Sequence, residues 1–246
     1  MNALPLELKH AKKGCQKWHL FLKRKSLAPV AQLDRAPVFG TGCRGFDSLL
    51  AHQKSMKTTI TTPRLILRPY RTADFKAVHE YSSDRETLQF MTWGPNSEKE
   101  TKKYIAEAIK KMATASKKQK DQKPDLHFAV TLKSDKKLIG GCRISIRGGE
   151  SDRKADIGCV LHKDYWHAGF ATEICEALLK HGFKNLKLHR ILGMFRPEHT
   201  GSHKLCAKLS MRLEGTLRKN TFYKGKWHDT LQFAILEEEY FKRQKK

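Results

Sequence analysis

The residues best suited to chemistry lie in the stretch Asp164-Tyr-Trp-His-Ala-Gly-Phe-Ala-Thr-Glu-Ile174. Ala168 and Gly169 carry almost no side chain, so a bulky ligand can approach their backbone closely. A helix that starts here offers unpaired N–H groups and the positive end of its macrodipole. Small residues at a helix N-terminus make an anion cradle, suited to a phosphorylated ligand.

The elements that hold such a cradle are legible on both sides of it. Ala155-Asp-Ile-Gly-Cys-Val-Leu161 reads as a strand entering the turn, and Phe170, Ile174, Leu178 and Leu179 share one side of the helix leaving it. Upstream, residues 58–69 alternate Leu65 and Leu67 with polar neighbours and read as a first strand. Thr72 caps a helix with Phe75, Val78 and His79 along one side, and Trp93-Gly-Pro95 interrupts the pattern. Ser97-Glu-Lys-Glu100 forms a capping box ahead of Tyr104, Ile105, Ala108, Ile109 and Met112 at helical spacing. Strands over 126–132 and 138–146 flank a Ser134-Asp-Lys136 turn, and Gly148-Gly-Glu150 turns into the strand at 154–161. After the central helix come a strand over 189–195, a helix over 200–209, and strands over 213–217 and 229–236 joined through residues 220–226. The order β-α-α-β-β-β-α-β-α-β-β implies one α+β domain with a mixed sheet of about seven strands and a parallel crossover through the central helix.

Composition bounds the function. An apolar content of 39% supports a true core, and no apolar run approaches the roughly 20 residues of a membrane helix. The apolar block Trp18-His-Leu-Phe-Leu22 is too short for a secretory signal. Six cysteines, at 15, 43, 142, 159, 175 and 206, show no C-x-x-C and no metal-ligand spacing, so no metal is expected and a cytoplasmic location is. The net charge of +24 predicts attraction to polyanions, nucleic acid included, although solvated surface lysine explains much of it. One such cluster, over 110–123, reads as a helix end and loop.

Residues 1–55 follow different rules. Prolines and glycines recur at 29, 37, 40, 42 and 45 with no persistent periodicity. Val-Ala-Gln-Leu-Asp-Arg-Ala (30–36) back-translates to GTAGCTCAGTTGGATAGAGC, Gly-Phe-Asp-Ser (45–48) to GGGTTCGATTCC, and Ala-His-Gln (51–53) to a terminal ACCA. In that order they resemble the D-arm, T-arm and end of a transfer-RNA gene. The expectation is a misplaced start, with 1–55 disordered and the natural protein beginning at Met56; a basic RNA-binding tail is the alternative. Residues 56–246 alone keep 39 Lys+Arg against 22 Asp+Glu, so the basic character belongs to the domain.

Over residues 58–240 the chain resembles the GNAT superfamily of acetyl-CoA-dependent N-acetyltransferases, in particular the branch acting on ribosomal-protein N-termini. The resemblance rests on TPRLILRPYRTADF, Trp93-Gly-Pro95, LIGGCRI, ADIGCVLHKDYWHAGFATEI, LHRILGMFRPEHTGSHKLCAKLSMRLEGTLR and GKWHDTLQFAIL in that order. It implies a GNAT-like fold with helices on both faces of the sheet. The superfamily pattern Q/R-x-x-G-x-G/A maps onto Trp166–Ala171, with His167 where glycine is usual. Ala168, Gly169, Phe170, Ala171 and Thr172 would then hold the pyrophosphate of acetyl-CoA through backbone N–H groups, with His167 beside it. Gly158, Cys159, Val160 and Leu161 would lie along the thioester, on a strand expected to part from its neighbour.

The implied chemistry is acyl transfer to a neutral amine, which needs an oxyanion donor and a proton for the departing thiolate. Asp156, where the branch usually has glutamate, would take the amine proton through water or orient the acceptor. Ser202, in Pro-Glu-His-Thr-Gly-Ser, would bond or protonate the sulfur, or else cap its helix. His199, in place of asparagine, would contact the pantetheine arm, and Ser210 replaces a helix-ending glycine. Tyr70, Trp93, Phe222, Tyr223 and Trp227 are candidates for the acceptor cleft. The resemblance favours a protein N-terminus as acceptor, with ribosome association compatible with the charge. A polyamine or aminoglycoside acetyltransferase and a silent acyl-CoA- or RNA-binding module are the alternatives.

Overall fold

The computed structural model describes residues 59–115, 125–149 and 151–245. The expectations for residues 1–55 and for most of the 110–123 cluster lie outside these residues.

Eight strands form one sheet: β1 (Ile60–Thr61), β2 (Leu65–Pro69), β3 (Asp125–Leu132), β4 (Leu138–Arg147), β5 (Lys154–Leu161), β6 (Arg190–Phe195), β7 (Arg212–Tyr223) and β8 (Lys226–Leu236). Their spatial order is β1-β2-β3-β4-β5-β6-β8-β7, antiparallel throughout except for the β5–β6 pair. Five helices accompany them: α1 (Phe75–Ser83), α2 (Glu98–Ala115), α3 (Phe170–Lys184), α4 (Thr200–Lys208) and α5 (Glu237–Arg243). None among the described residues is long and apolar enough to cross a membrane.

Four details depart from the sequence reading. The first strand breaks in two because Pro63 has no N–H, and the Thr62 hydroxyl accepts Leu65 N at 2.9 Å, folding β1 back on β2. This supplies the eighth strand. Thr72 opens a 3-10 turn (Thr72–Asp74) instead of capping α1. Asp74 fixes the entry, accepting Arg71 N at 2.7 Å and gripping Arg68 with both oxygens at 2.7 and 2.8 Å. The 220–226 connection is mostly strand, because left-handed Lys224 and Gly225 (φ 48° and 77°) close a two-residue hairpin. Finally, the charged tail Glu237–Arg243 is helical, with acids in its first turn, bases in its last, and Tyr240 buried against Phe183 at 5.0 Å.

The central helix behaves as its periodicity requires. Ile174, Leu178, Leu179 and Phe183 are fully buried on the sheet beside Ile144, Ile157 and Ile191. Each such side chain contributes roughly 1.5–3 kcal/mol through burial. On the opposite side Val78 and Tyr81 of α1 and Ile105 and Ala108 of α2 pack with Tyr70, Ala129 and Leu138. Ser97 and Glu100 form the expected capping box ahead of α2, with Ser97 N donating to Glu100 at 2.7 Å. Gly140 and Gly141 of β4 make this packing possible. A Cβ at Gly140 would meet the Val160 carbonyl at 2.2 Å, and one at Gly141 the Tyr70 hydroxyl at 2.1 Å.

The sheet is not evenly closed. β5 pairs with β6 only from Lys154↔Arg190 to Ile157↔Gly193, whereas its pairing with β4 continues to Leu161↔Gly140. β5 and β6 therefore part after Ile157, and the β6-facing side of Gly158, Cys159, Val160 and Leu161 has no strand partner.

Candidate active site

A cavity of about 690 Å³ opens where β5 and β6 separate. Strand alternation sends Asp156 and Gly158 to one face of the sheet and Ile157 and Cys159 to the other. Both sets line the cavity, together with His199 and Ser202 from the start of α4. The split thus gathers Asp156, Gly158, Cys159, Val160, His199 and Ser202 in one place.

On the α1–α2 face, Asp156 is 3% exposed and both its oxygens are taken. Arg143 Nη2 lies 3.1 Å from one and Arg147 Nε bonds the other. Arg196 also lines this cavity, which makes three arginines against one aspartate. Arg143 and Arg147 are not among the residues singled out from the sequence. The signal was available, since positions 143, 145 and 147 share a face opposite Asp156. His127 of β3 was missed as well. It is buried at the cavity, burial pushes its pKa down to about 4 with the Lys111 charge adding to the effect, and neither ring nitrogen has a hydrogen-bond partner among the described residues. Beside it Tyr70, Tyr81 and Tyr104 share their hydroxyls at 3.2 and 3.5 Å, and burial raises the pKa of all three.

On the α3–α4 face, the Cys159 and Cys175 sulfurs lie 3.9 Å apart. That contact lowers the Cys159 pKa and raises that of Cys175. Burial pushes Cys206 up to about 12, which leaves it an inert packing group. The cap of α4 is His199 rather than Ser202: its Nδ1 accepts Ser202 N at 3.3 Å while its ring stacks on Phe90 at 4.6 Å. The Ser202 hydroxyl is not used for capping and faces the cavity half-buried.

The anion cradle sits at the N-terminus of α3, outside the cavity lining. The first helical bond is Glu173 N to Gly169 O at 3.2 Å, so the N–H groups of Phe170, Ala171 and Thr172 precede it. His167 and Gly169 both have left-handed backbones (φ 62° and 78°), and His167, Ala168 and Gly169 are exposed. The Trp166 indole donates to Leu161 O at 2.8 Å and ties the loop to the end of β5. Arg64 was not singled out from the sequence, yet its guanidinium reaches Ala168 O at 3.0 Å and lies 4.3 Å above the Phe170 ring. Glu173 anchors it at 2.7 Å. Burial alone would raise the Glu173 carboxyl, but hydrogen bonds from Thr62 and Arg64 outweigh it and hold the group below its ordinary value. A Cβ built on Gly169 meets only Arg64 Nη2, at 3.6 Å, so the approach to this backbone is open and fits a pyrophosphate.

Of the aromatic candidates, Trp93 lines the cavity and Tyr223 donates its hydroxyl to Gly94 O at 2.6 Å. Tyr70 is buried behind Gly141, and Phe222 and Trp227 are not part of the lining.

Comparison with known proteins agrees with this architecture. An acetyltransferase (GNAT) domain family matches residues 64–212. An uncharacterized N-acetyltransferase of Bacillus subtilis, YnaD, is 33% identical over 74% of this chain and 98% of its own length. A GNAT-family acetyltransferase structure from Bacillus anthracis superposes with a TM-score of 0.64 at 32% identity, covering 74% of this chain and 99% of that one. More distantly, the ribosomal L7/L12 α-N-protein acetyltransferase RimL in complex with coenzyme A shares the fold, with a TM-score of 0.62 at 17% identity over 72% and 97% of the two chains. The spermidine N(1)-acetyltransferase of Escherichia coli is 20% identical over 73% of this chain and 89% of its own. With the parted strands and the open helix N-terminus in place, the chain belongs to the GNAT family and is an acetyl-CoA-dependent N-acetyltransferase.

Proposed function

We propose that the acceptor is the N-terminal α-amino group of a protein, a ribosomal protein in the first instance. The observation that carries this reading is the charge of the cavity, where Arg143 and Arg147 bracket a single aspartate and Arg196 also lines the wall. Such a site repels ammonium groups and admits amines that lose their proton readily. An α-amino group, with a pKa of about 7.7–8.0, is roughly one-third neutral at pH 7.5; an alkyl ammonium near 10.4 is neutral in roughly one molecule per thousand. Polyamines and aminoglycosides are poor matches for this cavity.

Each residue then has a task. The N–H groups of Phe170, Ala171 and Thr172, with Arg64 beside them, hold the pyrophosphate of acetyl-CoA. The unpaired side of Gly158, Cys159, Val160 and Leu161 holds the thioester and offers its carbonyl a backbone donor where negative charge develops. Asp156 orients Arg143 and Arg147 over the acceptor, and receives the amine proton through water once one guanidinium shifts. Ser202 hands a proton to the leaving sulfur, and His199 keeps that serine in place. Catalysis is expected to require only residues 56–246, a reading supported by the family match over residues 64–212. A cytoplasmic site of action follows from the proposed acceptor.

The test is thiol release from acetyl-CoA over peptides beginning with Ala or Ser, spermidine and kanamycin. Turnover on the peptides is expected. Turnover confined to the polyamine or the aminoglycoside overturns the reading, and coenzyme A binding with no turnover on any acceptor identifies a silent module.

A further inference from the structure

The far end of the β7–β8 hairpin carries features that acetyl transfer does not use. Phe222 and Trp227 are cross-strand partners with ring centroids 5.3 Å apart, tilted at 60°, and are 59% and 58% exposed. Adjacent strand residues point to opposite faces. Thr221 and Thr230 line the cavity and Tyr223 reaches Gly94, so the aromatic pair points away from the catalytic cleft. Along the same hairpin stand Arg218 and Lys219, neither of which forms an ion pair with a described residue, while Lys224, 5.2 Å over the Tyr223 ring, and Lys226, opposite Tyr223, extend the positive charge on the other side. Asp229 is the single acid between positions 215 and 236, and one of its oxygens is occupied by Lys219 N at 2.8 Å. A register shift between Leu217 and Thr221 crowds Arg218 and Lys219 into a bulge opposite Asp229.

We propose that this hairpin end is a binding site for single-stranded nucleic acid. Cations with no acidic partner among the described residues suit a phosphate backbone, and two exposed aromatic faces suit unstacked bases, which a duplex hides. An acidic peptide would engage the cations and leave the aromatic faces unused. A second copy of the same patch would bring like charges together. The site is separate from the acceptor cleft, so it stands whichever amine is acetylated, and it would hold the enzyme on an RNA-rich partner.

The experiment uses the full chain and a fluorescein-labelled twelve-nucleotide oligouridine, followed by anisotropy over a salt series. Phe222→Ala with Trp227→Ala should weaken oligouridine binding about tenfold or more while changing duplex binding by less than about threefold. Arg218→Glu with Lys219→Glu should lower the log–log salt slope by at least about 1.4, from two phosphate contacts at about 0.7 each. Both variants should acetylate a free Ala-initiated peptide at the parent rate. Unchanged oligouridine affinity in the aromatic variant overturns the proposal. So does equal competition by polyglutamate, which would mark a generic anion surface. Sedimentation of the parent as a dimer that the aromatic substitutions dissociate would assign the patch to a second copy instead.

Discussion

Ser202 donates its backbone N–H to Nδ1 of His199 at 3.3 Å, so the helix that carries the serine into the cavity is capped by an imidazole. Only the neutral ring can accept that bond. Burial, aided by the Arg196 charge, lowers the His199 pKa and keeps it neutral. The unfolded chain begins to take up this proton near pH 6.5, while the folded chain resists it. Stability is therefore complete above that pH and is lost as the pH falls toward the depressed folded value. His127, held at about 4, and His181, lowered by burial, act in the same direction.

Urea midpoints should accordingly fall between pH 7 and pH 5. His199→Asn, whose amide caps without titrating, should match the parent at pH 7 and fall less at pH 5. An identical loss in the variant would show that the cap contributes nothing to the acid sensitivity.

Ser202→Ala separates chemistry from capping. With His199 as the cap, the hydroxyl can go without loosening α4, so the urea midpoint should hold. Loss of a proton donor to the sulfur should lower kcat about tenfold to a hundredfold and leave the KM for acetyl-CoA nearly unchanged. A lower midpoint with unchanged kcat would make the serine structural.

Ser210 and His167 are two of the seven non-glycine residues among the described ones with left-handed backbones, and both stand where glycine is the easier fit. Ser210 (φ 58°) ends α4 with both bonds of a Schellman motif, Ser210 N to Ala207 O at 3.0 Å and Met211 N to Cys206 O at 2.9 Å. The replaced glycine thus leaves the helix end closed. Ser210→Gly should raise stability by about 1 kcal/mol by removing that strain.

His167 (φ 62°) is the same case inside the anion cradle. His167→Gly should also stabilise by about 1 kcal/mol, and calorimetry should show coenzyme A binding at least as tightly. Weaker binding would mean that the imidazole donates to the phosphate.

Much of this architecture is legible because it is local. The strand at 154–161, the small-residue turn and the apolar face of α3 follow from adjacent residues, and the Ser97–Glu100 cap from four. What escaped depends on distance along the chain. Arg64 meets Ala168 across 104 positions, and His127 becomes a cavity residue only when β3 pairs with β4. The length of the β5–β6 pairing is a property of the whole sheet, expected here from resemblance and not from any residue pattern. Helix α5 was hidden by its charge, since only Tyr240 shows which side is buried.

The selectivity argument makes its own prediction. Arg143→Gln removes one cation from the amine side of the cavity, worth on the order of 1 kcal/mol to an entering ammonium. The kcat/KM for spermidine relative to an Ala-initiated peptide should rise about fivefold. An unchanged ratio would show that the arginines do not select the acceptor.

The most direct measurement is the pH dependence of acetyl-CoA turnover on an Ala-initiated peptide and on spermidine with the same enzyme. The account predicts a peptide kcat/KM that rises to a plateau near the α-amino pKa of about 8, and spermidine turnover far below it at neutral pH. Spermidine turnover at pH 7.5 equal to or above that on the peptide would contradict it.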